Sequence, residues 1–168
     1  MYLNSFEGIR RSLQGYFCTF LFEAKLVSTA EMQGESTELP EPIVPLDEAD
    51  LSQAHLLGAH LNGAVLISVN LDGENLDWAR LNGAFLKRAN LRGADLSGAF
   101  LDGANLFGAR LMRGADLNGA DLSGADLRCA CLNGAKLSEA NPENATLPDG
   151  SEWAEETDMS RFTNPPAE

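Results

Sequence analysis

One pattern constrains this chain more than any other. Leucine recurs at every fifth position from Leu46 to Leu111 and, after one inserted residue, from Leu117 to Leu137. Pro142 takes the next slot and Leu147 closes the run. Alanine stands two residues before most of these leucines, from Ala49 to Ala145. Asp or Asn often lies between the two, and glycine often follows two after the leucine, so the unit reads A-(D/N)-L-x-G. A period of five fits neither the helical 3.6 nor the strand period of two. Glycine once per unit would also cost a helix about 1 kcal/mol each time. Short units with Gly, Ala and Leu at fixed phases instead mark a solenoid. One unit is too small to bury its own leucine, whereas stacked units bury a continuous leucine column.

On these residues the stretch resembles the pentapeptide-repeat proteins. The resemblance implies an all-β solenoid, a right-handed quadrilateral β-helix with four units to a square coil. It implies that leucine and the alanine two before it point inward and the other three positions outward. The physics agrees: leucine fills a narrow tube in which alanine leaves it room. About five coils at the roughly 4.8 Å spacing of neighbouring strands make a rod about 25 Å long. The ending Leu147-Pro148-Asp149-Gly150-Ser151-Glu152-Trp153 is similar to that of many cyanobacterial members. It suggests a cyanobacterial source, with Trp153 as the cap over the open end of the column. An uncapped coil would expose apolar surface and unpaired edges.

The flanks divide the rest of the chain. Residues 1–27 read as an amphipathic helix with Leu13, Phe17, Phe20 and Leu21 on its apolar, docking face. Residues 28–45 read as an acidic linker with prolines at 40, 42 and 45, favouring an extended local state. The β-helix spans 46–153, and 154–168 reads as a disordered acidic tail. Arg10 and Arg11 before an apolar run leave a secretory leader open as a reading of the N-terminus, although Glu23 and Lys25 cut that run short. The expected location is cytoplasmic, the alternative being export to a periplasm or thylakoid lumen. No apolar run approaches the length of a membrane span.

The net charge of −13 argues against direct nucleic-acid binding, which needs cations for phosphates. Cys18, Cys129 and Cys131 make no disulfide framework and read as reduced thiols. No catalytic constellation, cofactor loop or metal-ligand spacing is visible. The recurrent Asp50, Asp95, Asp116, Asp121 and Asp126 occupy a phase where Asp and Asn bond local backbone or face solvent. The expectation is a protein that is not an enzyme and takes no cofactor.

Departures from the ladder carry more information. Glu74 takes an inward alanine slot, and a local distortion is expected to let it reach water. The insertion at Met112-Arg113 should form a small corner bulge. Residues twenty apart stack, which places Val65, Ile67, Phe85 and Phe107 in an apolar stripe on one side of the rod. That stripe is covered by the N-terminal helix, offered to a partner or a second copy, or exposed without consequence. The functional expectation is a protein-interaction or scaffold module with an unidentified protein partner, as a monomer or weak homodimer. The alternative, implied by the family resemblance, is a DNA-mimicking gyrase or topoisomerase inhibitor or protector.

Overall fold

The computed structural model describes residues 48–52 and 54–164. The expected N-terminal helix (1–27) and linker (28–45) lie outside them, and with them Leu13, Phe17, Phe20 and Leu21. Within the repeat, residues in the slot before leucine form parallel bridges with the residue twenty positions on. Asp50 pairs with Asn70, Asn70 with Asn90, Val65 with Phe85 and Arg80 with Phe100. Four five-residue sides therefore make one coil, and successive coils stack in register.

The hydrogen bonds explain why the unit has five residues. Each side bonds both neighbours: the Asn70 N–H donates to Ala49 O, and the Leu71 and Gly73 N–H groups donate to Asn90 O and Arg92 O, all at 2.8 Å. Between sides the chain turns, as where the Ala84 N–H donates to Leu81 O at 2.9 Å. The third residue of that turn, Gly83, has φ +64°, the sign that a type II turn requires. The residue before each leucine, mostly Asp or Asn, steadies the side from outside. Asp95, Asp116, Asp121 and Asp126 each accept the backbone N–H two residues on, at 3.0–3.1 Å. These carboxylates are thus committed to backbone.

Leucine and alanine fill the interior. Leu61 through Leu117 are fully buried, as are Ala79 through Ala125. Burial of each such leucine stabilises by about 1.5–3 kcal/mol, and the column joins coils that share no other core. At the insertion, Arg113 and Gly114 adopt φ +60° and +83° in succession. Bridge spacing lengthens by one, pairing Asp95 with Asp116 and Arg110 with Cys131, then returns to twenty at Asp116 and Lys136. The extra residue is absorbed at a corner, outside the bridged positions.

Glu74 does not reach water. It is 5% exposed, and its carboxylate accepts the backbone N–H groups of Ala54 and His55, each at 3.0 Å. Its Oε1 also accepts the N–H of Asn75 at 3.2 Å. The distortion lies in the coil before it: His55 has φ +54° and carries no bridge. A buried carboxylate is tolerated here because backbone donors replace its hydration.

The expectation of a disordered tail is corrected for residues 154–164. Beyond an antiparallel bridge between Thr146 and Glu152, the chain folds back and forms a short helix, α1 (Ser160–Thr163). Thr163 is buried and Phe162 packs against the leucine cluster. The Gly134 N–H donates to Thr163 O at 2.6 Å. In inner coils the same corner donates to the following coil, as Gly93 does to Met112 O at 3.0 Å. The tail therefore takes the place of a further coil, and the last coil's open edge is the reason it orders. Trp153 is half-buried, its N–H donating to Ala145 O at 2.9 Å. The tail residue packed on the leucines is Phe162.

Candidate interaction surface

The side carrying Val65, Ile67, Phe85 and Phe107 is built from two columns. In the phase before leucine, Val65 bridges Phe85, Phe85 bridges Asn105, and Asn105 bridges Asp126. In the phase after leucine, Ile67, Lys87, Phe107 and Arg128 follow one another, set by a backbone ladder. The N–H groups of Glu48, Ser68, Arg88 and Gly108 donate to Ile67, Lys87, Phe107 and Arg128 carbonyls at 2.8–3.0 Å. Val65 and Phe85 are exposed, whereas Ile67 and Phe107 are half-buried.

Phe107 is not simply a continuation of the apolar stripe. Lys87 Nζ lies 5.5 Å and Arg128 Cζ 5.8 Å from its ring centre, within the range of cation–π attraction. Arg128 also makes a two-pronged contact with Asp126, through Nε at 2.9 Å and Nη2 at 2.8 Å. That contact holds the Asp126 carboxyl below its ordinary value. Lys87, Asn105, Phe107, Asp126 and Arg128 line a shallow groove of about 210 Å³. Lys136 and Arg161 each have a carboxylate at 2.8 and 3.0 Å, but among the described residues Lys87 has none.

A second surface escaped the sequence reading. Trp78 is 61% exposed, and its indole pairs with Phe100 at 6.3 Å between ring centres, tilted by 52°. Leu57, 63% exposed, lies in the coil before. Trp78 occupies the corner phase usually held by glycine, with φ +57°. A bulky residue there is uncommon, and it fits because Gly98 stands beneath it. A Cβ on Gly98 would lie 3.0 Å from the indole. The signal was present in the sequence: a tryptophan in the glycine phase with a glycine twenty residues on.

Other chemistry is sparse. Cys129 and Cys131 are exposed free thiols. No group of three or more His, Cys, Asp or Glu among the described residues could hold a metal ion. No helix among them is long and apolar enough to cross a membrane.

Comparison with known proteins identifies the repeat. The family model described as pentapeptide repeats matches residues 46–83, 75–111 and 112–141, which together are more than half of the chain. A search of curated proteins finds no match. Among solved structures, the pentapeptide repeat protein Rfr23 from the cyanobacterium Cyanothece 51142 is 39% identical, over 53% of this chain and 56% of that one, with a TM-score of 0.32. HetL from Nostoc sp. strain PCC 7120, a pentapeptide repeat protein involved in heterocyst differentiation regulation, is 33% identical over 63% of this chain and 65% of its own, at 0.27. A pentapeptide repeat protein from the Arabidopsis thaliana thylakoid lumen is 30% identical over 56% of this chain and 66% of its own, at 0.30. The chain thus spans between about half and two thirds of each of these proteins.

Proposed function

The chain belongs to the pentapeptide-repeat family, and from that premise we propose that it is a non-enzymatic interaction module that binds a protein through the Leu57–Trp78–Phe100 corner. The observation that carries this is Trp78, whose large apolar ring is held in solvent at a backbone conformation unfavourable to it. Tryptophan and its aromatic neighbours dominate the energetics of protein contacts. The rigid rod fixes their spacing, so little ordering entropy opposes binding. The Asp positions that could suggest acid–base chemistry hold backbone N–H groups instead. We also infer that the coil is right-handed, since parallel neighbours joined by a crossover are right-handed in nearly all proteins.

A DNA-mimicking role is the weaker reading. It needs continuous acidic faces, and Arg80, Lys87, Arg88 and Arg92 interrupt them within one coil. Affinity capture from the source cell with the native chain, set against the Trp78→Ala/Phe100→Ser variant, tests the proposal. One partner retained by the native chain and lost by a folded variant is expected. Identical captures would discard the corner as the contact surface, and inhibition of gyrase supercoiling at micromolar protein would favour DNA mimicry instead.

A further inference from the structure

We propose that the side of the rod carrying Arg88, Arg92, Arg110 and Arg113 binds an acidic segment of a partner protein, guanidinium to carboxylate. Arg88 and Trp78 stand ten residues apart, half of a twenty-residue coil. The arginine side therefore lies across the rod from the Leu57–Trp78–Phe100 corner, and binding at either place is independent of the other.

Stacking gathers these arginines from two successive coils. Arg110 follows Asn90 in a parallel bridge, one coil step or about 4.8 Å away. The Gly93 N–H donates to Met112 O at 3.0 Å, which sets Arg92 beside the corner where the insertion carries Arg113. Arg88 leans the same way. A Cβ added to Gly108 would lie 3.6 Å from Arg88 Cγ, so the Arg88 stem runs along the rod toward the coil of Arg110. Arg88, Arg110 and Arg113 are exposed, and Arg92 is half-buried.

These cations are unengaged. Arg128, Lys136 and Arg161 each hold a carboxylate at 2.8–3.0 Å. Among the described residues, the guanidiniums of Arg88, Arg92, Arg110 and Arg113 neither pair with a carboxylate nor donate a hydrogen bond. Neighbouring acids are already bound, Asp116 to Lys136 and Asp126 to Arg128. Asp72, one coil before Arg92, makes no ion pair with it. Two buried side-chain atoms without a partner among the described residues, Arg92 Nε and Asn90 Oδ1, lie on this side as well. A desolvated polar atom left unpaired is costly, so this side has hydrogen-bonding capacity left over.

The chemistry selects the occupant. All four cations are arginine, whose planar fork takes a carboxylate through two parallel bonds. The side is the wall of a rod rather than a cleft, so it suits an extended segment more than a small molecule. The patch is also short. Asp50 and Asp72 stand in the coils before it, and Glu152, Glu155, Glu156 and Asp158 follow it in the tail. In a chain of net charge −13, those acids repel a long polyanion such as a nucleic acid. They leave space for a few carboxylates. Alternate residues of an extended peptide are about 7 Å apart, a spacing that long arginine side chains one coil apart can meet.

Fluorescence anisotropy with a fluorescein-labelled octaglutamate peptide tests this on the full chain at low salt. Binding is expected, weakening as salt is added, and Arg110→Gln should reduce the affinity about tenfold. Arg80→Gln is the control, since Arg80 is also exposed and occupies the same phase of the repeat on another side. It should leave the affinity unchanged. Absence of binding at millimolar protein overturns the proposal. So does equal weakening in the two variants, which would mean diffuse attraction. Tighter binding of a labelled single-stranded oligonucleotide of similar charge would make nucleic acid the occupant. Self-association of the native chain that Arg110→Gln abolishes would seat a second copy there instead.

Discussion

The carboxylate of Glu74 accepts the backbone N–H of Ala54 at 3.0 Å from inside the leucine column. A residue that breaks the repeat thereby mends the coil before it. His55, whose N–H donates to the same carboxylate, has left the regular backbone path.

Replacing Glu74 with alanine restores the repeat pattern in sequence and withdraws this acceptor. The expected result is a loss of about 1–3 kcal/mol, read by denaturant unfolding, together with faster hydrogen exchange at Ala54, His55 and Asn75. Glu74→Gln, which keeps one acceptor oxygen, should fall between. A Glu74→Ala variant more stable than the native chain would show that the carboxylate is tolerated rather than useful.

Gly98 and Gly103 separate two effects that usually occur together. Both have positive φ, +60° and +62°, so alanine at either incurs about 1–2 kcal/mol of left-handed strain. Only at Gly98 does the new Cβ meet a ring, whereas nothing lies within 4 Å at Gly103. Gly98→Ala should therefore shift the Trp78 fluorescence and cost more stability than Gly103→Ala. Equal spectra for the two variants would mean that the indole does not rest on Gly98.

The column predicts a gradient. Leu86 is fully buried in the middle of the rod, while Leu137 is partly buried near its end. Leu86→Ala should cost about 2–5 kcal/mol and Leu137→Ala clearly less. Because each coil touches only its neighbours, the central change should also broaden thermal unfolding. Equal losses at both positions would argue against a continuous column.

Acid should act through exposed pairs. The Lys136 ammonium holds the Asp116 carboxyl below its ordinary 3.8, and the Arg128 guanidinium does the same for Asp126. A depressed carboxyl pKa stabilises above the unfolded value, and that contribution is lost as pH falls through the folded one. Asp116 in turn raises Lys136 above 10.5, so the lysine's share is complete below that value and lost as pH rises through the folded one. Melting temperature should be nearly flat from about pH 5 to about pH 9. Its decline below about pH 4 should be shallower in Asp116→Asn and weakened by salt. An identical acid limb in that variant would remove the pair from the explanation.

The ladder of leucines made the solenoid legible in advance, because a period of five with alanine and glycine in fixed phases leaves few other ways to bury the leucines. The corner insertion, read at Met112-Arg113, was equally legible, since the phase recovers at once at Leu117, and the structure puts the two positive-φ residues at Arg113 and Gly114. Three features were not. Glu74 stays buried because backbone donors from another coil surround it, and no local pattern names those donors. Residues 154–164 order because the last coil leaves an edge to be met, and Thr163 meets it at Gly134. Phe107 reads as apolar in sequence but sits between Lys87 and Arg128.

The common reason is distance along the chain. Sequence by itself determined what repeats: the five-residue period, the fixed phases of leucine and alanine, and the Asp and Asn that stand between them. Those features are local or recur by a fixed step. Tertiary structure decided what happens once, such as the tryptophan laid over Gly98 or the phenylalanine closing the column's end, because each depends on which unlike side chains the stacking brings together.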